Sequence, residues 1–525
     1  MGLGTRLDWN TPTMNGGLFA SMLPEDTGTD VLRNGVKVAR DGEFRGIAAF
    51  KHRWNFRPDW TLWLNGFTAS DESVMPALFR RMGENSEEFT NRAYFRRLKG
   101  NSFLTLEAKA AATDFVPNDN TAQAPGYMVD KLPEISVGRI GDDLLDRWAP
   151  GWLTHTWSAT LSRVHFRLPE ITPRDLGLNR SSRSQRGFGL EPDVTIGDGF
   201  RAAGLDESFV TRLDTRQELS TTFDVGPVHV NPFIVGRATA YDSRFENFSP
   251  DESDRLRLWG SAGVNLTTSI YRIDDSVSSR VFDLNRMRHI IEPGVTIWHA
   301  GSTIDEADLP VFDDDVESLA QGTGIRAGIN QTWQTKRGAP GRWRTVDVFT
   351  LDAEYVWFSD DANRSTPIGR FFSSRPELSA PDEFVRVAGT WQVTEVLGLA
   401  GETIWDADTQ REDRNSMGMI LRHSEDLSTR FELRRLDAQD DTFGSGSLRG
   451  SFGDKYLYSV VGTYNFRVDD FQSFTFSLLR RFPNGLLGGR VTYNNISGET
   501  TLGIYIRPNG LPGASLSGGG SGSRF

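Results

Sequence analysis

The residues able to do chemistry are few. The seven histidines are His52, His155, His165, His229, His289, His299 and His423. No two have the i,i+2 spacing of a strand or the i,i+4 spacing of a helix that would aim both at one metal ion. His289 and Glu292 resemble half a zinc motif, but three residues apart on a strand they leave opposite faces. Cysteine is absent, which excludes disulfides, thiol catalysis and cysteine-ligated metals together. No nucleophile elbow, phosphate loop or dinucleotide fingerprint stands on a strand–helix unit, so no enzyme class is legible and no cofactor is expected. The run Asp305, Glu306, Asp308, Asp313, Asp314, Asp315 and Glu317 has the composition of a calcium site without its glycine and spacing. It reads as a solvated outer loop. Lys51, Arg53, Arg237, Arg257 and Arg490 occupy the polar phase of alternating segments. They could meet phosphate groups inside a lumen, or pair with Asp and Glu across it.

The elements that hold these residues have a period of two. From Leu256, the positions Leu256, Leu258, Gly260, Ala262, Val264 and Leu266 are apolar or small, and Arg257, Ser261, Asn265 and Thr267 lie between them. Successive side chains of a strand leave opposite faces, so this is a strand with one apolar face. Strands in soluble proteins average about 5–6 residues, whereas a barrel strand crossing a membrane needs about 9–11. Val228, Val230, Ile234 and Gly236 repeat the pattern against His229, Asn231 and Arg237. Leu502, Ile504 and Ile506 repeat it against Thr501, Gly503 and Arg507, and Leu3, Leu7 and Trp9 against Arg6, Asp8 and Asn10. Hairpin punctuation separates such runs at Arg57-Pro58-Asp59, Lys99-Gly100-Asn101, Val225-Gly226-Pro227, Arg337-Gly338-Ala339-Pro340 and Phe482-Pro483-Asn484-Gly485. The alternate gaps, 25–42, 172–206, 243–254, 303–320 and 438–445, are long and polar. Only Val74–Asn85 reads as helix, within a loop.

Short turns alternating with long polar loops are the asymmetry of an outer-membrane barrel. The expected fold is all-β: a large transmembrane antiparallel β-barrel of roughly 24–26 strands, with closure removing the exposed edges. Trp54, Trp60, Trp148, Trp152, Trp259, Trp298, Trp343 and Trp357 fall near strand ends, where aromatic girdles sit. The barrel is expected over 1–508, with 509–525 as a flexible Gly/Ser-rich tail. The net charge of −12 offers no basic surface for nucleic acid. No apolar run is long enough for a transmembrane helix, and the mean hydropathy of −0.42 does not argue against strands that are apolar at every second residue. Met1–Arg6 lacks the pattern of a signal peptide, so the chain is expected to be mature, truncated or not exported.

Several segments carry a family resemblance. They run Phe44-Arg45-Gly46-Ile47 through His52-Arg53-Trp54, Asp59-Trp60-Thr61-Leu62-Trp63-Leu64-Asn65 and Ser70-Asp71-Glu72. Next come Lys131-Leu132-Pro133-Glu134-Ile135, Arg288-His289-Ile290-Ile291-Glu292-Pro293 and Leu309-Pro310-Val311-Phe312-Asp313. In this order they resemble the barrel domain of the LPS-assembly outer-membrane proteins (LptD, organic solvent tolerance protein). The motifs cover roughly residues 1–315, and the last two are the most specific. The resemblance implies an outer-membrane barrel that takes lipopolysaccharide from a periplasmic Lpt bridge and releases it to the outer leaflet through a lateral seam. It also implies an LptE-like lipoprotein plug as a partner. The family's periplasmic jelly-roll domain and its cysteines have no counterpart in this sequence.

A barrel must pair its ends, which assigns the seam to Thr5, Arg6, Leu7 and Trp9 on one side and Leu502, Gly503, Ile504 and Ile506 on the other. Arg237, Arg257, Asn265 and Arg490 are the expected lumen-facing residues. Two other functions compete: a large porin or receptor barrel for solutes, and a non-membrane carbohydrate-binding or catalytic β-protein.

Overall fold

The alternating runs build one antiparallel sheet. The structure, a computed structural model, describes residues 3–518 except 32–36, 72–73, 79–89, 113–127, 169, 171, 175–179, 203–206, 248–253, 306–307, 314, 320, 340, 360–382, 437–440, 468, 495–498 and 509–515. The strands begin with β1 (Leu3–Asn10), β2 (Met14–Val31), β3 (Lys37–Arg57), β4 (Trp60–Ala69), β5 (Asn91–Lys99), β6 (Ser102–Ala110), β7 (Met128–Asp143) and β8 (Thr154–Arg167). The middle of the chain supplies β9 (Val210–Ser220), β10 (Phe223–Val225), β11 (Val228–Tyr241), β12 (Leu256–Thr267), β13 (Ile270–Ser279), β14 (Leu284–Ser302), β15 (Gly322–Arg337) and β16 (Arg344–Phe358). Then come β17 (Phe384–Gln392), β18 (Leu397–Asp406), β19 (Arg411–Ser424), β20 (Leu427–Leu436), β21 (Asp441–Phe452) and β22 (Tyr456–Asn465). The last are β23 (Asp470–Phe482), β24 (Gly485–Asn494), β25 (Glu499–Pro508) and β26 (Leu516–Gly518). The fold is the all-β, barrel-type sheet of the expected size.

Two interruptions have one cause. β9 and β10 together face β11, and β12 and β13 together face β14, so each pair is one strand with a break. The first break lies opposite Pro232 and the second opposite Pro293. Thr221 N–H donates to the Pro232 carbonyl at 3.2 Å, and Thr268 N–H to the Pro293 carbonyl at 3.2 Å. Neither proline has an N–H to return, and the ladder lapses there.

The two faces of the sheet differ as the alternation requires. Ile234 is 62% exposed and lies in register between Leu219 and Ala262 on the apolar face. Its neighbours in phase, Leu213 and Leu258, are also exposed. On the other face of the same strands, Arg212 and Arg257 are fully buried. Aromatic rings gather on the apolar face near the short turns: Trp54, Phe56, Trp60 and Phe95 lie ring to ring at 4.8–6.2 Å.

Some gaps are shorter or more structured than expected. β2 and β3 extend through most of 25–42, and β21 begins inside 438–445. The gap 172–206 holds two helices, and 243–254 holds a 3-10 turn at Ser243–Asn247. We number the helices α1 (Val74–Leu78), α2 (Ser181–Phe188) and α3 (Ile196–Ala202). The expected helix Val74–Asn85 is α1, and residues 79–85 lie outside the described residues. Val74 and Met75 are buried against Ile47 and Phe67 on the polar side of the sheet. The expected tail contributes β26, which pairs with Ile504–Ile506 of β25.

The sheet is open. Among the described residues β1 pairs only with β2, and β25 with β24 and β26. Every pairing is antiparallel, and tracing the alternation shows that β1 and β25 both run toward the short-turn end. A direct β1–β25 seam would therefore be parallel. An antiparallel closure of these elements needs β26 between them.

Candidate functional site

A cluster of buried charge lies on the polar face of β7–β12, beneath the segment between β14 and β15. The sequence reading put the acidic residues of that segment outside the barrel wall, in solvent. The structure overturns this for Asp313 and Glu317; Asp308 and Asp315 are exposed, and Glu306 and Asp314 lie outside the described residues. Ile304, Leu309, Val311 and Phe312 are buried with Val164, Phe166, Val210 and Tyr241 of the strands and with Ile196 and Phe200 of α3. Phe312 stacks on Phe166 at 4.4 Å. Burial of each such side chain is worth on the order of 1.5–3 kcal/mol, so the segment is anchored rather than resting.

Asp313 and Glu317 are consequently held against the sheet. Arg212 Nη1 donates to Glu317 Oε1 at 2.8 Å, its Nη2 to Asp313 Oδ2 at 2.5 Å, and its Nε to Ser162 Oγ at 3.2 Å. Lys131 Nζ bridges Asp313 at 2.8 Å and Glu134 at 3.1 Å. Tyr241 Oη donates to Glu317 at 3.0 Å. Burial pushes the Asp313 carboxyl up, but the Arg212 and Lys131 charges beside it outweigh that and hold it below its usual range. Glu317 is wholly buried, and its opposite charge and hydrogen bonds make that tolerable.

Arg257 donates to the carbonyls of Val316 at 2.8 Å and Leu319 at 2.7 Å, and to Ser302 Oγ at 2.9 Å. Arg237 forms a two-point pair with Asp214, both bonds at 2.8 Å, and donates to the Asp315 carbonyl. Two of the three expected lumen-facing arginines are thus on the polar face but covered by the inserted segment. Asn265 accepts from Thr296 Oγ1 at 3.0 Å, and Arg490 Nε donates to Ser477 Oγ at 3.2 Å, both on the polar face. Among the described residues the cluster's side chains bond to one another and to backbone carbonyls of the segment. Its chemistry is to fix a segment across the polar face.

The seam residues are not brought together. Thr5, Arg6, Leu7 and Trp9 lie on one edge strand, and Leu502, Gly503, Ile504 and Ile506 on β25, where β26 pairs with Ile504–Ile506. Leu7 and Leu502 are exposed, Arg6 pairs with Asp8 at 2.8 Å, and Trp9 Nε1 donates to His52 Nδ1 at 3.1 Å. His289 stacks on Trp333 at 4.1 Å and meets Gln331 at 3.0 Å. Among the described residues, no group of His, Asp and Glu could hold a metal ion.

Residues of separate sequence motifs meet. Lys131 and Glu134 join Asp313 as above, and the buried Arg45 makes a two-point pair with Asp71, both bonds at 3.0 Å. Sequence reasoning missed Arg212 and Tyr241. The available signal was the charge alternation Arg212, Asp214, Arg216 and Glu218 along β9.

No known protein family and no characterised protein matches this sequence. Among solved structures, the chain is similar to a mutant porin of Rhodopseudomonas blastica, at 11% identity and a TM-score of 0.23, over 59% of this chain and 93% of that one. It is also similar to the P pilus usher (PapC) translocation pore, at 10% identity and a TM-score of 0.28, over 100% of this chain and 99% of that one. At these scores the likenesses add nothing to the strand pattern already described.

Proposed function

We propose that this chain is an outer-membrane β-barrel that delivers lipopolysaccharide to the outer leaflet through a lateral seam. The apolar face, long strands and aromatic cluster near the short turns support the membrane location. The observation that carries the finer reading is the convergence of the resemblance motifs, with Lys131, which also holds Glu134, meeting Asp313 across 182 residues of sequence. Motifs that resemble one family and build one buried cluster support a shared architecture. The bilayer and lipopolysaccharide are the partners of this reading, together with an LptE-like plug and a periplasmic Lpt bridge. It requires no catalytic residue and no cofactor.

The inserted segment favours a second reading, a solute pore narrowed from within. One experiment separates the two. The chain, joined to the periplasmic domain of a Gram-negative host, is expressed in that host while its own assembly barrel is depleted. Restored surface lipopolysaccharide supports delivery. Ion conductance in planar bilayers without restored lipopolysaccharide supports the pore and contradicts delivery.

A further inference from the structure

The cations in the polar phase of the strands differ in their partners. Arg237 and Arg257 are tied to Asp214 and to the carbonyls of the inserted segment. Toward the short turns of β3–β6 the polar face carries Lys51, Arg53, Arg92 and Arg96, with Lys109 and Glu107 beyond them, and Glu107 pairs with Arg92 at 2.7 Å; Arg45 and Glu43 lie farther along β3. Among the described residues neither Arg53 nor Arg96 has a carboxylate partner. Each places its guanidinium over Trp63, at 5.3 Å and 4.6 Å from the ring centre. Arg92 does the same over Tyr94 at 4.7 Å. Arg96 Nε is buried without a hydrogen-bond partner.

In a chain of net charge −12, such a patch runs against the average. Stacking on an aromatic ring fixes a guanidinium in orientation while leaving its in-plane N–H groups for a planar or tetrahedral anion. Each planar guanidinium can offer paired N–H donors, which is what a phosphate group takes, and Trp63 of β4 lies between the strands that carry the two. The patch sits near the turns Pro58–Asp59 and Gly100–Asn101, hence at the short-turn mouth. We propose that Arg53, Trp63 and Arg96, flanked by Lys51 and Arg92, bind the phosphate group of a phosphorylated saccharide entering from that mouth. The direction of entry rests on the barrel reading above; the binding itself does not.

The test uses the full chain in lipid nanodiscs and isothermal titration with glucose 1-phosphate and with glucose. Glucose 1-phosphate should bind at least about tenfold tighter than glucose, and R53Q/R96Q should remove that difference. R53K/R96K keeps both charges but loses the planar forks, and should retain only part of it. In a second arm, nanodiscs containing diphosphorylated or monophosphorylated lipid A compete with glucose 1-phosphate. Competition by the lipid identifies a headgroup as the source, and its absence a free solute. Equal binding of the two sugars, or unchanged phosphate binding in a folded R53Q/R96Q protein, overturns the proposal. Neither result bears on whether lipopolysaccharide is delivered.

Discussion

Lysine substituted at Val264 should be far more costly than lysine at Asn265, one residue along the same strand. Val264 lies on the apolar face in register between Pro232 and Ile297. If that face meets hydrocarbon near mid-depth, Val264→Lys costs about 2–4 kcal/mol. Asn265 lies on the polar face and accepts one hydrogen bond, from Thr296. Asn265→Lys loses that bond, worth about 0.5–1.5 kcal/mol, and places a charge where water and carboxylates can reach it. Guanidinium unfolding in lipid vesicles, followed by tryptophan fluorescence, would measure both. Equal costs would refute the assignment of faces, and so would a larger cost at Asn265.

Other outcomes follow from the same geometry. Glu317→Ala leaves Arg212 with less compensation in a buried site and should cost about 3–5 kcal/mol; protease cleavage between residues 303 and 319 should become correspondingly faster. The Asp313 carboxyl is depressed in the folded state, so its contribution is present above the ordinary value of 3.8 and is lost as pH falls through the lower folded value. Pepsin should therefore begin to cut the segment only below about pH 4. A Cβ at Gly324 would overlap the Trp298 ring; Gly324→Val should cost about 1–3 kcal/mol, and less in a Trp298→Ala background, by a double-mutant cycle in vesicles.

The wall was legible in the sequence because its signals are local. Alternation fixed the faces of Arg257, Asn265, Leu258 and Val264, and Gly and Pro marked the turns. Even the breaks in β9–β10 and β12–β13 could have been found from Pro232 and Pro293. The inserted segment was not legible, since its partners Arg212 and Lys131 lie more than 100 residues away on two different strands. Composition alone made Asp313 and Glu317 look solvated, although Ile304, Leu309, Val311, Phe312 and Val316 are interleaved with them. Their burial follows from the long-range core, which no local pattern records. The pairing at the seam was not legible for another reason. The direction of β25 relative to β1 depends on treating each interrupted pair as one strand, and the sequence shows only the runs.

The lateral seam is the central claim, and locking it is the most direct test. The chain contains no cysteine, so a pair can be introduced without background. One cysteine at Leu7 of β1 and one scanned over Leu516, Ser517 and Gly518 of β26 would report whether those strands meet. In cells whose surface lipopolysaccharide depends on this barrel, oxidising the crosslinking pair should stop delivery, and reduction should restore it, with solute flux through the lumen unchanged. Delivery that continues through a fully crosslinked β1–β26 seam would contradict the account.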